Sequence, residues 1–369
     1  MPTPRSVVTY MTNRSRTPAG HDLIGRRAVA ERLAETLGAR YRGDYDGAER
    51  YDPPPYFVPD DALEHARAHR LGIASADDLF GGVVPRAFVA TKAITHGLRD
   101  PDATAPEGWS RAFAPRVEGA VLRGYTAFTR DDALAAVRDL LDACGVRLKR
   151  CDGIGGGGQH VVASVDEAAQ AVDAIDPATL AETGIVVEEN LGDVMTYSVG
   201  LVTAGGLTLS YCGTQRTVRN GMGHEVYGGS TLHCVRGGFS ALTVLNLPRQ
   251  AQDAVDFARR YDEAALACYP GMYASRRNYD VARGVGADGS TRVGVLEQSW
   301  RVGGASGAEV RAMGAFLEDP ALERVRASTV ELYGPSPHVP TDAFVYFRGV
   351  DAHGTPLVKY ATLSTDADA

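Results

Sequence analysis

Two carboxylates, Asp280 and Glu297, stand in strand-like segments, Tyr279-Asp280-Val281 and Val293-Gly294-Val295-Leu296-Glu297, joined by a glycine-containing loop over 284–289. Such a loop predicts that the segments pair as a hairpin. Two acids on adjacent strands facing one cavity suit Mg²⁺, which takes one or two carboxylates and completes its shell with phosphates and water. Ser299 lies two residues beyond Glu297 and so points to the same side of the strand, as does Arg301 if the strand continues. By the same alternation Val295 shares that face, while Leu296 and Trp300 share the other. Neither face is solvent-like, which predicts a cavity or burial.

A second candidate comes from the basic residues. The chain has three lysines, Lys92, Lys149 and Lys359, against 35 arginines. Arg presents a broad planar fork and Lys a compact point charge, so a retained Lys marks a place where a fork does not fit. Lys149 opens Lys149-Arg150-Cys151-Asp152-Gly153-Ile154-Gly155-Gly156-Gly157-Gly158-Gln159. Glycine-rich backbone frees N–H groups to approach phosphate oxygens. The P-loop pattern is missing, because the lysine precedes the glycines, and with a strand, His160-Val161-Val162, expected directly after it the loop does not read as a Rossmann fingerprint. On the loop alone, a phosphate flap and a flexible surface turn stay equally open.

Composition narrows the function classes. A chain of 369 residues can bury a large core and divide into lobes. The net charge of −8 argues against a general nucleic-acid binder. No apolar run approaches the roughly 20 residues of a membrane span, and the N-terminus does not read as a signal peptide. Five cysteines without a CxxC pair read as reduced thiols, so a cytoplasmic protein is expected.

The elements that must position these residues can be sketched. Residues 1–85 read as a small α/β unit, with a strand at Val7 to Met11, a helix from about Asp22 to Leu37 and a second strand at Tyr56-Phe57-Val58-Pro59. Residues 86–187 read as an α+β lobe. In it a strand-like Ala87 to Lys92 ends at the lysine, Thr129 and Ser164 cap helices, and Val146 to Lys149 leads into the glycines. Residues 188–369 read as a larger β-rich lobe, with a helix from about Pro248 to Cys268 and a last hairpin over Ala343 to Leu363.

Taken in order, these motifs resemble the ATP-grasp superfamily, an α+β fold in which two lobes clasp ATP. The resemblance runs through Lys92, then Lys149 before a glycine flap (Gly153, Gly155, Gly156, Gly157, Gly158), then a hinge Glu188-Glu189-Asn190-Leu191. It continues in the strand Tyr197 to Val202, in Asp280, and in Glu297-Gln298-Ser299-Trp300-Arg301. More narrowly, Asp78 to Pro85, Tyr227-Gly228-Gly229-Ser230 and Glu297 to Ser306 look like an uncharacterised bacterial family of ATP-grasp-like proteins. The residues depart from the superfamily in two places. Ser299 stands where Asn is usual, and Thr196 where an acid often binds the ribose, with Asp193 or Glu189 as substitutes.

The resemblance implies ATP and Mg²⁺ as cofactors, with Asp280, Glu297 and Ser299 at the metal and Lys92 and Lys149 on the phosphates. Glu188, Glu189, Leu191 and Asp193 would hold the nucleoside. It further implies activation of a small-molecule carboxylate as an acylphosphate, Arg301 steadying the transferring group, and attack by an amine or thiol. A kinase on the same fold and a nucleotide sensor without turnover are the alternatives. Arg236, Arg276 and Arg277 are expected at the substrate, with Gly303 and Gly304 beside them. A small-molecule acid and acceptor are the expected partners, without nucleic acid or membrane, and a homodimer is compatible with the resemblance.

Overall fold

The structure is a computed structural model that describes residues 5–12, 20–151 and 158–365. The chain opens with strand β1 (Ser6–Tyr10), helix α1 (Gly20–Thr36), strands β2 (Arg40–Asp44) and β3 (Tyr56–Pro59), the short strand β4 (Leu63–Glu64), helix α2 (His65–Arg70) and strand β5 (Gly82–Val84). β1, β2 and β3 form a parallel sheet in the order β2-β1-β3. Val7, Val8 and Val58 are fully buried, as expected of a parallel sheet covered on its faces.

Residues 85–100 depart from the strand expected there. They form two 3-10 turns, Ala87–Ala90 and Lys92–Thr95, with the Thr91 hydroxyl accepting from Ala93 N at 3.2 Å. Lys92 thus starts a turn and does not end a strand.

Helix α3 (Phe113–Val117) and strand β6 (Gly124–Ala127) lead into α4 (Arg130–Leu141), β7 (Val146–Arg150), β8 (Gln159–Val162), α5 (Val165–Asp173), α6 (Pro177–Thr183) and β9 (Ile185–Glu189). The helix starts follow the sequence signals. Thr129 accepts from Asp132 N and Ser164 from Glu167 N, while Glu167 reaches back to Ala163 N. The four strands order as β6-β9-β7-β8, with β9 buried along its whole length.

The remainder builds an eight-stranded sheet. Its strands are β10 (Gly192–Ala204), β11 (Leu207–Arg219), β12 (Glu225–Arg236), β14 (Arg276–Val285), β15 (Thr291–Ser299), β16 (Arg324–Tyr333), β17 (Phe344–Val350) and β18 (Pro356–Ser364). They order as β15-β14-β10-β11-β12-β16-β18-β17. The short strand β13 (Tyr273–Ala274) pairs instead with β5. Helix α7 (Arg249–Cys268) packs Ala254, Ala258 and Tyr261 against one face, with Val199, Tyr279, Val281 and Val295. Helix α8 (Ser306–Glu318) and α1 cover part of the other face, over Tyr211, Leu232 and Ala327. The rest of that second face is polar and carries the site. No helix among the described residues is long and apolar enough to cross a membrane.

Candidate active site

The β14–β15 hairpin forms as expected, with Asp280 directly opposite Glu297. The strand phase differs from simple alternation. Val281 pairs with Val295, so Leu296 is an extra residue, a β-bulge. The bulge turns Val295 into the α7 core while Glu297 faces the polar side with Asp280. Leu296 packs instead with Leu122, Leu191 and Ala282.

Two side chains meet the acid pair. Lys92 Nζ lies 2.8 Å from Glu297 Oε2, and Gln215 Nε2 donates to Asp280 Oδ1 at 2.7 Å. Burial, and then the charge of Glu297, push the Asp280 carboxyl up to about 7. Burial works against the Lys92 charge, but Glu297 outweighs it and raises that ammonium. Lys92 is held from below by Gln298, whose Nε2 donates to Val89 O at 2.8 Å and Thr91 O at 2.6 Å, and whose Oε1 accepts from Tyr261.

The second lysine is caged differently. Lys149 on β7 pairs with Glu188 on β9, and His96 Nε2 faces the other Glu188 oxygen at 3.1 Å. All three side chains are buried. Burial alone would raise the Glu188 carboxyl, yet Lys149 and His96 together hold it down at about 2. Gly124 makes room for this cage. A Cβ there would sit 2.9 Å from the His96 ring and 2.8 Å from Val187 O. Lys92 and His96 flank one 3-10 turn, so a single short segment carries a partner to each acid.

The other expected residues are distributed as follows. Gly153, Gly155, Gly156 and Gly157 lie outside the described residues. Gly158 takes φ +73° against the Arg150 side chain. Glu189 is buried, with Oε1 accepting from Arg123 N at 3.2 Å and Arg292 Nε 3.7 Å from Oε2. Leu191 is buried beside Leu296, whereas Asp193 is exposed at φ 47° where β10 begins. Arg301 Nε lies 3.8 Å from Asp61 Oδ1, and Gly304 gives way to the Tyr227 ring, which a Cβ would meet at 2.5 Å. Gly303 donates its N–H to Ser306 Oγ at 3.0 Å.

The arginines expected at the substrate are engaged inside the protein. Arg276 is fully buried and donates to Glu309 Oε2 at 3.0 Å, to Arg301 O at 2.6 Å and to Ser299 Oγ at 3.2 Å. Ser299 therefore shares the acid-pair face, but its hydroxyl already serves a guanidinium. Arg277 points to the opposite face, onto Asp262 of α7 at 2.8 Å. Arg236 caps the end of α8 through Phe316 O at 2.6 Å. Sequence alone could not separate these from solvated arginines, because the groups that claim them, Glu309, Asp262 and Phe316 O, lie on helices packed against the sheet.

His96, Gln215 and Gln298 were not anticipated. Gln298 sits between two expected ligands, but its side chain points to the face that needs an anchor for Lys92. His96 carried a weak signal, four residues after a rare lysine.

The family model described as Protein of unknown function (DUF3182) matches residues 7–361. The chain belongs to this family. No curated protein matches by sequence. Among solved structures, the biotin carboxylase domain of 2-oxoglutarate carboxylase from Hydrogenobacter thermophilus, in complex with MgADP and bicarbonate, aligns at TM-score 0.55 and 11% identity. That alignment covers 99% of this chain and 87% of that one. N5-carboxyaminoimidazole synthetase from Staphylococcus aureus, complexed with ADP, aligns at 0.53 and 8%, covering 100% and 95%. Phosphoribosylamine–glycine ligase from Thermotoga maritima aligns at 0.52 and 14%, covering 98% and 93%. These are ATP-grasp proteins, and the fold of this family member is the α+β ATP-grasp fold.

Proposed function

We propose that this chain is an ATP-dependent ligase that activates a small-molecule carboxylate as an acylphosphate for attack by an amine or thiol. The observation that carries the reading is the charge deficit at Asp280 and Glu297. Two carboxylates face each other, Lys92 pairs with Glu297, and burial together with the Glu297 charge pushes Asp280 up to about 7. Among the described residues no cluster of three or more His, Cys, Asp or Glu side chains could hold a metal. A pair of carboxylates is nevertheless the donor set that suits Mg²⁺ bound together with phosphates. Mg²⁺ when bound would neutralise charge on the ATP β- and γ-phosphates.

The chain's own residues do the rest. Lys92, on leaving Glu297, and Lys149, on leaving Glu188, neutralise phosphate oxygens, while Leu191 and Leu296 offer an apolar floor to the base. Arg301 faces the transferring group. A substrate carboxylate oxygen attacks the γ-phosphorus and the bond to the β,γ-bridging oxygen breaks, giving acylphosphate and ADP. The acceptor then attacks the acyl carbon, phosphate leaves and the acceptor gives up its proton. The structural relatives include proteins named as ligase and synthetase, which supports this class of reaction.

The test is hydroxylamine trapping with Mg·ATP and a panel of acids. A hydroxamate formed together with ADP is expected. A stable phosphorylated product in its place would identify a kinase, and ATP binding without ADP release from any acid would identify a nucleotide sensor.

A further inference from the structure

Arg26, on α1, is a partly buried cation that no acid among the described residues approaches within hydrogen-bond distance. Its side chain is 13% exposed, and among the described residues it pairs with Asp60 Oδ2 at 3.7 Å and lies 3.9 Å from Met11 Sδ. A guanidinium has five N–H donors, so a poorly matched buried one is costly unless something else completes it. Asp60 is itself committed, its other oxygen accepting from Thr12 N at 2.7 Å. The next residue, Asp61, lies 3.8 Å from Arg301 Nε. Consecutive aspartates thus bring Arg26 and Arg301 to one place, each as a long ion pair. Burial, and the nearby Arg301 charge, lower the Arg26 guanidinium in spite of Asp60, Asp22 and Asp61.

The position is one that topology favours for ligands. β1 lies between β2 and β3, so the chain leaves β1 toward one side and returns on the other. Thr12 follows β1 and Asp60 follows β3, at their carboxyl ends, where open parallel sheets bind ligands at the switch in strand order. Lys359 holds α1 there. It is buried, 3.0 Å from Asp22 and 3.2 Å from Glu331. Asp22 and Arg26 are four residues apart, on one face of α1. The third lysine thereby anchors the helix that presents Arg26 toward Arg301.

We propose that Arg26 binds a second anionic group of the substrate, a carboxylate or a phosphate, while Arg301 steadies the phosphoryl group passing to the first carboxylate. This rests on the ligase reading for the role of Arg301. The substrate is then an acid with two anionic groups, bridging the three-stranded sheet and the Asp280/Glu297 centre.

The experiment is thermal denaturation of the full chain titrated with acids in three arms, each with and without Mg·ADP. The arms are monocarboxylates (acetate, propionate), dicarboxylates (succinate, glutarate) and a phosphorylated carboxylate (3-phosphoglycerate). One of the two dianionic arms is expected to raise the Tm, which identifies the second group, and the monocarboxylates are not. Arg26→Gln should weaken that response at least tenfold in midpoint concentration and leave the shift from Mg·ADP unchanged. Arg26→Lys should recover part of it. The ligand-free Tm of Arg26→Gln should equal or exceed that of the natural protein, since a poorly matched buried charge is removed; a purely structural Arg26 would lower it. An equal response in Arg26→Gln, an equal response to monocarboxylates, or no response in any arm would overturn the proposal. Failure of Mg·ADP itself to shift the Tm would instead count against the nucleotide site.

Discussion

The two lysines assigned to the proposed nucleotide site sit in opposite electrostatic situations. Lys149 shares Glu188 with His96, all three are buried, and the acid is held at about 2. Lys92 shares Glu297 with the bulk of a second acid, Asp280, which is forced up to about 7. The first cage is complete within the protein. The second sets two opposed acids beside one paired lysine, and Glu297 is partly open, at 35% side-chain exposure. The difference sets a buried acid that two basic groups already satisfy beside an acid pair that is partly open.

Breaking the complete cage should have the largest effect on stability. Glu188→Ala leaves Lys149 and His96 buried without their acid, and a loss of about 3–5 kcal/mol is expected by denaturant unfolding. The pH dependence has a definite sign. An acid lowered from 4.5 to about 2 contributes stability above pH 4.5 and loses it as pH falls toward 2. The gap between natural protein and Glu188→Gln should therefore close over that window.

Next in size are the phosphate contacts. Lys149→Ala and Lys92→Ala should each weaken ATP binding by about 1.5–3 kcal/mol, the range for hydrogen bonds to charged groups, as read by calorimetry. Unchanged affinity in both would move the nucleotide elsewhere.

Asp280→Asn should behave in the opposite way to Glu188→Gln. An acid raised from 3.8 to about 7 binds more protons folded than unfolded, so metal-free stability falls as pH rises from about 4 to 7. The Asn variant escapes this and should be the more stable at pH 8, by a few kcal/mol at most at about 1.4 kcal/mol per pKa unit. The smallest change is expected from Glu297→Gln without metal, about 1 kcal/mol or less. Its carboxylate is partly exposed, and Asp280 can take over as counter-charge to Lys92.

The sequence carried the hairpin, the opposed acids, the capped helices and the order of the nucleotide motifs, because local spacing and turn chemistry determine them. It did not carry the phase of β15, since one inserted residue at Leu296 reverses which neighbours share a face. It also misplaced Arg276. A fully buried Arg276–Glu309 pair joins residues 33 apart in sequence, and only packing of α8 against the sheet brings them together. The 3-10 turn at Lys92 was hidden in a β-branched, apolar stretch that reads equally as strand. The third lysine became legible only once Asp22 and Glu331 were seen around it.

The most direct measurement is calorimetric titration of ATP into the natural protein and into Asp280→Asn, with millimolar Mg²⁺ and with EDTA. The account predicts Mg²⁺-dependent binding by the natural protein and loss of that dependence in a folded Asp280→Asn. No binding at millimolar Mg²⁺, or equal Mg²⁺-dependent binding by both proteins, would contradict it.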